Sequence, residues 1–359
     1  MKTFISKQPL LLLLLFLPVA ILSEIVHWPV AWTFSLSAIA IIPLAGLIGD
    51  STENLTYYTG PRIGGLLNAT FGNAAELIIT IAAIRQGLLE LVKASLTGSI
   101  LGNLLLVLGM AILLGGIRNK DQHFDRRAAS RNAIMLVLTV LILLIPSLLS
   151  HYIGVTNPKP SPKVEALSLG VAAIMIVLYI LNLIFGFSTP NQEMEQESER
   201  ENKETKSVWS RKTSIAVLLL ATVGVAIMSE ILVQTVEPLV KDFGLSEFFI
   251  GVIFIPLIGN VAEHLVAVQM AYKNQMTLSV EIAISSSLQI AFFVAPLLVF
   301  LSLWIGNPLT LVFNQFELLA LIAGVLITAL VSEDGESNWF EGTELLAIYL
   351  VLGLAFYLL

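Results

Sequence analysis

Two glutamates, Glu76 and Glu263, each stand three residues after the asparagine of a Gly-Asn pair within apolar sequence. The segments are Gly72-Asn73-Ala74-Ala75-Glu76 and Gly259-Asn260-Val261-Ala262-Glu263, and the two acids are 187 positions apart. A charge at the centre of a bilayer costs at least about 2.5 kcal/mol, so such residues face a bundle interior, a pathway or an ion. A protonated glutamate serving only to glue helices is the plain alternative; repetition with the same flanking residues argues against it. Asn73 and Glu76 are one helical turn apart, as are Asn260 and Glu263, so each amide shares a helix face with its carboxylate. Two carboxylates neutralise one divalent cation. When the ion leaves, a buried pair does not stay doubly ionised in a low dielectric, so protons take its place. That competition yields cation/proton exchange with no separate proton site. An all-oxygen site suits Ca²⁺, which takes about 6–8 oxygens in flexible geometry, better than Mg²⁺, which requires a tight octahedron. The absence of cysteine and of a histidine cluster argues against softer metals.

Other polar residues recur around these pairs. Gly72 and Gly259, the latter just after Pro256, weaken their helices and expose backbone carbonyls as further ligands; close helix packing is the competing role. Ser95, Ser99 and Asn103 form one stripe at four-residue spacing. Glu281, Ser285 and Gln289 form a second, with Ser286 beside it. A single serine in a membrane helix commonly bonds back to its own backbone, so the argument rests on the stripes rather than on any one hydroxyl. His264, next to Glu263, titrates near neutrality and is a candidate proton relay. Glu53, Glu230, Glu237 and Glu281 are candidate vestibule acids.

These residues need long helices to hold them at depth. Hydrophobic residues make up 56% of the chain and charged residues 13%, far more apolar than a soluble protein. Apolar runs of about 20 residues select a helical bundle over a barrel. The expectation is an all-α integral membrane protein of about eleven transmembrane helices. Spans are expected near 8–23, 29–49, 63–84, 94–116, 131–151, 164–187, 213–236, 247–270, 278–303, 315–331 and 342–359. The first run follows Lys2 and Lys7, as in a secretory signal, but no small-x-small cleavage site follows it, so a retained helix is expected. With a cytoplasmic N-terminus, 14 of the 19 Lys and Arg fall on the cytoplasmic side, and the C-terminus lies outside.

Residues 191–207 carry six glutamates with Arg200, Lys203 and Lys206, and no apolar face, so residues 189–212 read as a solvated cytoplasmic linker. It separates residues 26–188 from 213–359, two five-helix units with residues 1–25 as a helix outside both. The Gly-Asn-x-x-Glu motif falls on the second helix of each unit. Glu53 precedes Gly60 by seven residues, as Glu237 precedes Gly244. An odd number of spans per unit inverts the second copy, the arrangement of many secondary transporters.

The stretch from Gly72 to Gly109, GNAAELIITIAAIRQGLLELVKASLTGSILGNLLLVLG, resembles the first signature of the cation/proton exchanger family of Ca²⁺/H⁺ antiporters. GNVAEHLVAVQMAYKNQMTLSVEIAISSSLQIAFFVAPL, from Gly259 to Leu297, resembles the second. The resemblance implies one helix followed by two inverted five-helix repeats joined through an acidic segment. It implies Ca²⁺ held by Glu76 and Glu263, assisted by Asn73, Asn260 and polar residues of the fourth and ninth helices. Ser285-Ser286-Ser287 and Glu281 depart from the family pattern. A long N-terminal extension typical of vacuolar relatives is absent from the sequence, which favours a prokaryotic plasma membrane.

The function expected is export of cytosolic Ca²⁺ against protons by alternating access, without enzymatic activity and with no cofactor besides the transported ion. Its partners are Ca²⁺, H⁺ and the lipid bilayer, with a homo-oligomer allowed and nucleic acid not expected. A Na⁺/Ca²⁺ exchanger or a broader divalent cation/H⁺ exchanger is the nearest alternative. A cation channel lacks a TVGYG-type filter here, and an intramembrane hydrolase lacks H-E-x-x-H or G-x-S-x-G.

Overall fold

The computed structural model describes residues 9–153, 161–188 and 209–359. Nearly all of it is helix: α1 Phe16–Ile25, α2 Val30–Thr59, α3 Pro61–Phe71, α4 Ala74–Arg85, α5 Leu89–Asn119, α6 Arg126–Ile153 and α7 Pro162–Ser188 in the first half. The second half holds α8 Arg211–Gln234, α9 Val236–Phe243, α10 Glu247–Tyr272, α11 Met276–Ile305, α12 Gln315–Val331 and α13 Trp339–Leu358. A short antiparallel ribbon joins β1 Gln122–His123 to β2 Glu336–Ser337, tying the α5–α6 turn to the α12–α13 turn.

Among the described residues, eight helical segments are long and apolar enough to cross a membrane, and Leu10–Ile25 and α12 are shorter apolar helices. The chain is an integral membrane protein. Its interior is built on α5, where 72% of the most apolar window is buried, whereas α7 and α13, at 28% and 17%, form the rim. Glycines set the close approaches. Gly109 of α5 lies on the backbone of Gly342 in α13, and Gly251 of α10 lies on Ala94 and the Leu91 carbonyl of α5. The acidic linker expected at 189–212 falls, from 189 to 208, outside the described residues. The next helix begins where Ser210 Oγ accepts the Thr213 N–H at 3.2 Å, capping α8.

The stretch expected as one span over 63–84 is not one continuous helix but two, α3 and α4, broken at Gly72-Asn73. Gly72 still donates its N–H to the Asn68 carbonyl at 2.8 Å, but Asn73 leaves helical geometry (φ −100°, ψ 23°) and becomes the N-cap position of α4. The second motif behaves differently. Gly259 lies within a continuous helix from Ile255 to Tyr272, and the irregularity is displaced upstream to a π-helical turn at Ile250–Phe254. Pro256 has no N–H to offer the Val252 carbonyl one turn back, and that carbonyl instead meets Gly98 of α5. Further π turns interrupt α5 at Gly102–Val107, which includes Asn103, and α11 at Ile290–Val294, immediately after Gln289. Such turns re-aim side chains and concentrate at functional sites.

Candidate cation site

The break before α4 puts Glu76 in that helix's first turn, where unpaired N–H groups favour negative charge. Glu76 is 2% exposed and Asn73 1% exposed. Helix α4 is walled in by α5, α8, α10 and the end of α11, whereas α3, before the break, packs chiefly on α2. The two motifs meet face to face. A Cβ on Gly259 would lie 2.9 Å from Glu76 Oε1, and a Cβ on Gly72 would lie 3.3 Å from Glu263 Oε1. Each glutamate therefore rests against the glycine of the opposite motif. Gly72 and Gly259, expected to free carbonyl ligands, serve as the seats that let the opposing carboxylates approach.

Polar side chains from α5 and α11 close the ring. Asn73 Nδ2 donates to Gln289 Oε1 at 2.6 Å, and Asn260 Nδ2 donates to Ser99 Oγ at 3.3 Å and to the Pro256 carbonyl at 3.2 Å. Ser286 Oγ donates to Glu263 Oε2 at 2.7 Å and accepts from Asn103 Nδ2 at 3.0 Å. Each of the three asparagines donates an N–H to a neighbour. What is left unused is oxygen: Glu76 Oε1, Glu76 Oε2, Asn73 Oδ1 and Asn260 Oδ1 are buried with no hydrogen-bond donor. Buried acceptors are almost always satisfied, and an unpaired set of them is a deficit of positive charge or donors. Among the described residues no cluster of three or more His, Cys, Asp or Glu is present that could hold a metal. A cation here would depend on two carboxylates supplemented by amide and hydroxyl oxygens.

The sequence-predicted residues divide accordingly. Glu76, Glu263, Asn73, Asn260, Gly72, Gly259, Ser99, Asn103, Ser286 and Gln289 converge. Ser285 does not: it is half-buried, and among the described residues no hydrogen bond ties it to the ring. Its neighbour Ser286 takes that place, and Ser287 bonds to the Ala283 carbonyl at 3.0 Å and the Ile100 carbonyl at 3.4 Å. The offset of 187 residues that relates Glu76 to Glu263 also relates Ser99 to Ser286. Of the two serines expected there, Ser285 and Ser286, the structure brings only Ser286 to the ring, and the repeat offset distinguishes them. His264 is half-buried with an unpartnered Nε2.

The candidate vestibule acids lie apart from the ring. Glu230 Oε2 is 3.6 Å from Arg85 Nη1, at the far end of α4 from Glu76. Glu237 is exposed on α9 and acts electrostatically on Glu247. Glu53 is exposed near the end of α2. Glu281 is half-buried at the start of α11, with Arg131 and Asp125 as charged neighbours. One buried acid escaped the sequence reading. Glu317 is fully buried in a capping box with Asn314, and its signal was the Asn-x-x-Glu spacing ahead of an apolar run. Its charged neighbours are Lys93 and Glu90, and it faces Thr97, which lies two residues from Ser99 and thus on another side of α5.

The model of the family described as sodium/calcium exchanger protein matches residues 29–187 and 213–358. The Ca²⁺/H⁺ antiporter of Aphanothece halophytica is 43% identical, over 96% of this chain and 95% of its own length. The Ca²⁺/H⁺ antiporter ChaA of Bacillus subtilis is 44% identical, over 95% of this chain and 96% of its own. Among solved structures, native YfkE superposes with a TM-score of 0.84 at 40% identity, covering 98% of this chain and all of the other.

Proposed function

From the premise that this chain belongs to the sodium/calcium exchanger protein family, and within it to the cation/proton exchangers, we propose that Ca²⁺ and protons compete for Glu76 and Glu263. The protein is a Ca²⁺/H⁺ antiporter of the membrane. The observation that carries the mechanism is the set of four donorless buried oxygens on Glu76, Asn73 and Asn260, facing a second carboxylate across Gly72 and Gly259. A dehydrated Ca²⁺ supplies the missing positive charge. Its glutamate, amide and serine oxygens come from both halves of the chain. Loss of the ion leaves two facing carboxylates that protons must neutralise, so binding one cargo expels the other.

In this reading α1 and the two units 26–188 and 213–359 make eleven passes, with α3 and α4 together forming one of them. The two units are inverted repeats. The N-terminus and the Arg118–Arg131 turn are cytoplasmic, the C-terminus lies outside, and the membrane is a prokaryotic plasma membrane. Glu76 is sealed and Glu263 is half-buried against Gly72 at the end of α3, which we read as one end state of an alternating-access cycle. The polar stripe Glu281–Ser285–Gln289 runs from the start of α11 towards Asn73 and is the approach for ions.

Proton-driven ⁴⁵Ca²⁺ uptake into inside-out vesicles tests this. Glu76→Gln and Glu263→Gln each keep the side-chain shape and remove one charge, and each is expected to lower uptake at least about 30-fold, because breaking a buried charged contact costs about 2–5 kcal/mol. Full activity in either variant, with normal protein levels, would remove that residue from the ion site. Sodium, added at the trans side in place of a proton gradient, is expected to drive no uptake; sodium-driven uptake would favour the Na⁺/Ca²⁺ alternative.

A further inference from the structure

Away from the ion site, the start of α6 forms an open cavity of about 600 Å³ lined by Arg126, Arg127, Ser130, Arg131, Ile134 and Met135. We propose that this cavity binds the phosphodiester headgroup of an anionic phospholipid.

Placement along the helix carries the argument. Arg127, Arg131 and Ile134 follow one another at i, i+4 and i+7, a single face of α6. The same ridge continues through Leu141, Ile145 and Leu148, which are 53%, 51% and 54% exposed, with Ile134 at 67%. In a membrane-spanning helix an exposed apolar ridge of this kind contacts acyl chains. The two guanidinium groups thus stand where that ridge reaches the headgroup layer, with apolar Ile134 and Met135 directly beneath.

The cavity's positive charge is not taken up by any ion pair among the described residues, since none of the three arginines forms one. The nearest acids are engaged elsewhere or set back. Asp125 Oδ1 accepts the backbone N–H groups of Arg127 and Ala128 at 2.8 and 3.2 Å. Glu281 lies on α11 beyond ion-pair distance of Arg131, although it responds to that charge. Arg126 is anchored, its Nε donating to the Glu333 carbonyl at 2.7 Å, which leaves its remaining N–H groups oriented. A planar guanidinium fork matches the two free oxygens of a phosphodiester, and Ser130 adds a hydroxyl donor. The lipid's tails would continue along the ridge, a contact no soluble anion can make.

Native mass spectrometry of the detergent-purified full chain, titrated with phosphatidylglycerol or phosphatidylcholine, tests the proposal. The wild type is expected to bind phosphatidylglycerol at least about tenfold more tightly, and Arg127→Gln with Arg131→Gln to abolish that preference, since each basic residue near anionic headgroups contributes about 1 kcal/mol. Arg118→Gln with Lys120→Gln, in the same turn but outside the cavity, should retain it. Equal binding of the two lipids by the wild type overturns the proposal even if the double variant misfolds. So does a preference that survives in a folded Arg127→Gln, Arg131→Gln protein. Displacement of the lipid by millimolar inorganic phosphate would assign the cavity to a free anion and overturn it as well.

Discussion

The two Gly-Asn-x-x-Glu motifs share their chemistry and differ in their surroundings. Around Glu76 the helix is broken, the carboxylate is 2% exposed, and neither oxygen has a donor. Around Glu263 the helix is continuous, the residue is half-buried, and Ser286 already donates to one oxygen at 2.7 Å. The same five-residue pattern therefore presents one starved, enclosed carboxylate and one partly satisfied, partly open one. Under the alternating access proposed above, such asymmetry is expected in any single state, because the open half and the shut half exchange roles. On this view Glu76 sets the depth of the ion's binding energy and Glu263 governs access to it.

The contrast can be broken at its tightest point. Gly259→Ala places a methyl 2.9 Å from Glu76 Oε1, against a walled-in side chain that has nowhere to retreat. Overpacking of this kind costs up to about 3 kcal/mol, so Ca²⁺ affinity should fall about 100-fold, measured by equilibrium binding of ⁴⁵Ca²⁺ with thermal stability as the folding control. If Gly259→Ala binds normally, Glu76 is not confined as described. A smaller effect is expected on the open side. Ser286→Ala removes a hydrogen bond to a carboxylate, worth about 1.5 kcal/mol at the low end for charged partners, and should weaken binding about tenfold. The smallest belongs to the outer rim, where Arg85→Ala releases α4 from Glu230. Both partners are substantially exposed, and such pairs contribute less than about 1 kcal/mol, so transport rate should change less than about fivefold, with unchanged Ca²⁺ affinity. A collapse of affinity in Arg85→Ala would mean that the rim and the site are one unit.

Much of the site was legible in the sequence because its determinants are local or repeated. Asn and Glu one turn apart share a face in any helix, and a motif that recurs 187 residues later identifies its own partner. What could not be read is what depends on the contact between copies. The seating of Glu76 on Gly259 and of Glu263 on Gly72 is a tertiary relation, and glycine alone is equally consistent with a kink or a packing seam. The unequal fate of the two glycines was hidden for a similar reason. Pro256 and the π turn before it absorb the irregularity in α10, whereas α3–α4 has no such outlet and breaks at Asn73. Ser285 and Ser286 were both expected beside the stripe, but helix register is only local, and the contact across α11 uses Ser286 alone. Glu317 was passed over because its role is set by burial against α5, which its own segment does not announce.

In the proposed mechanism one Ca²⁺ and protons alternate on the same two carboxylates. It is tested most directly by calorimetric Ca²⁺ titration of the purified protein in buffers of different ionisation enthalpy, which counts protons released per ion bound. Proton release on binding is expected, with apparent affinity that falls as pH is lowered because protons occupy the empty pair, and a reduced proton count in whichever of Glu76→Gln or Glu263→Gln still binds. Ca²⁺ binding with no proton release, at an affinity that does not change with pH, would contradict it.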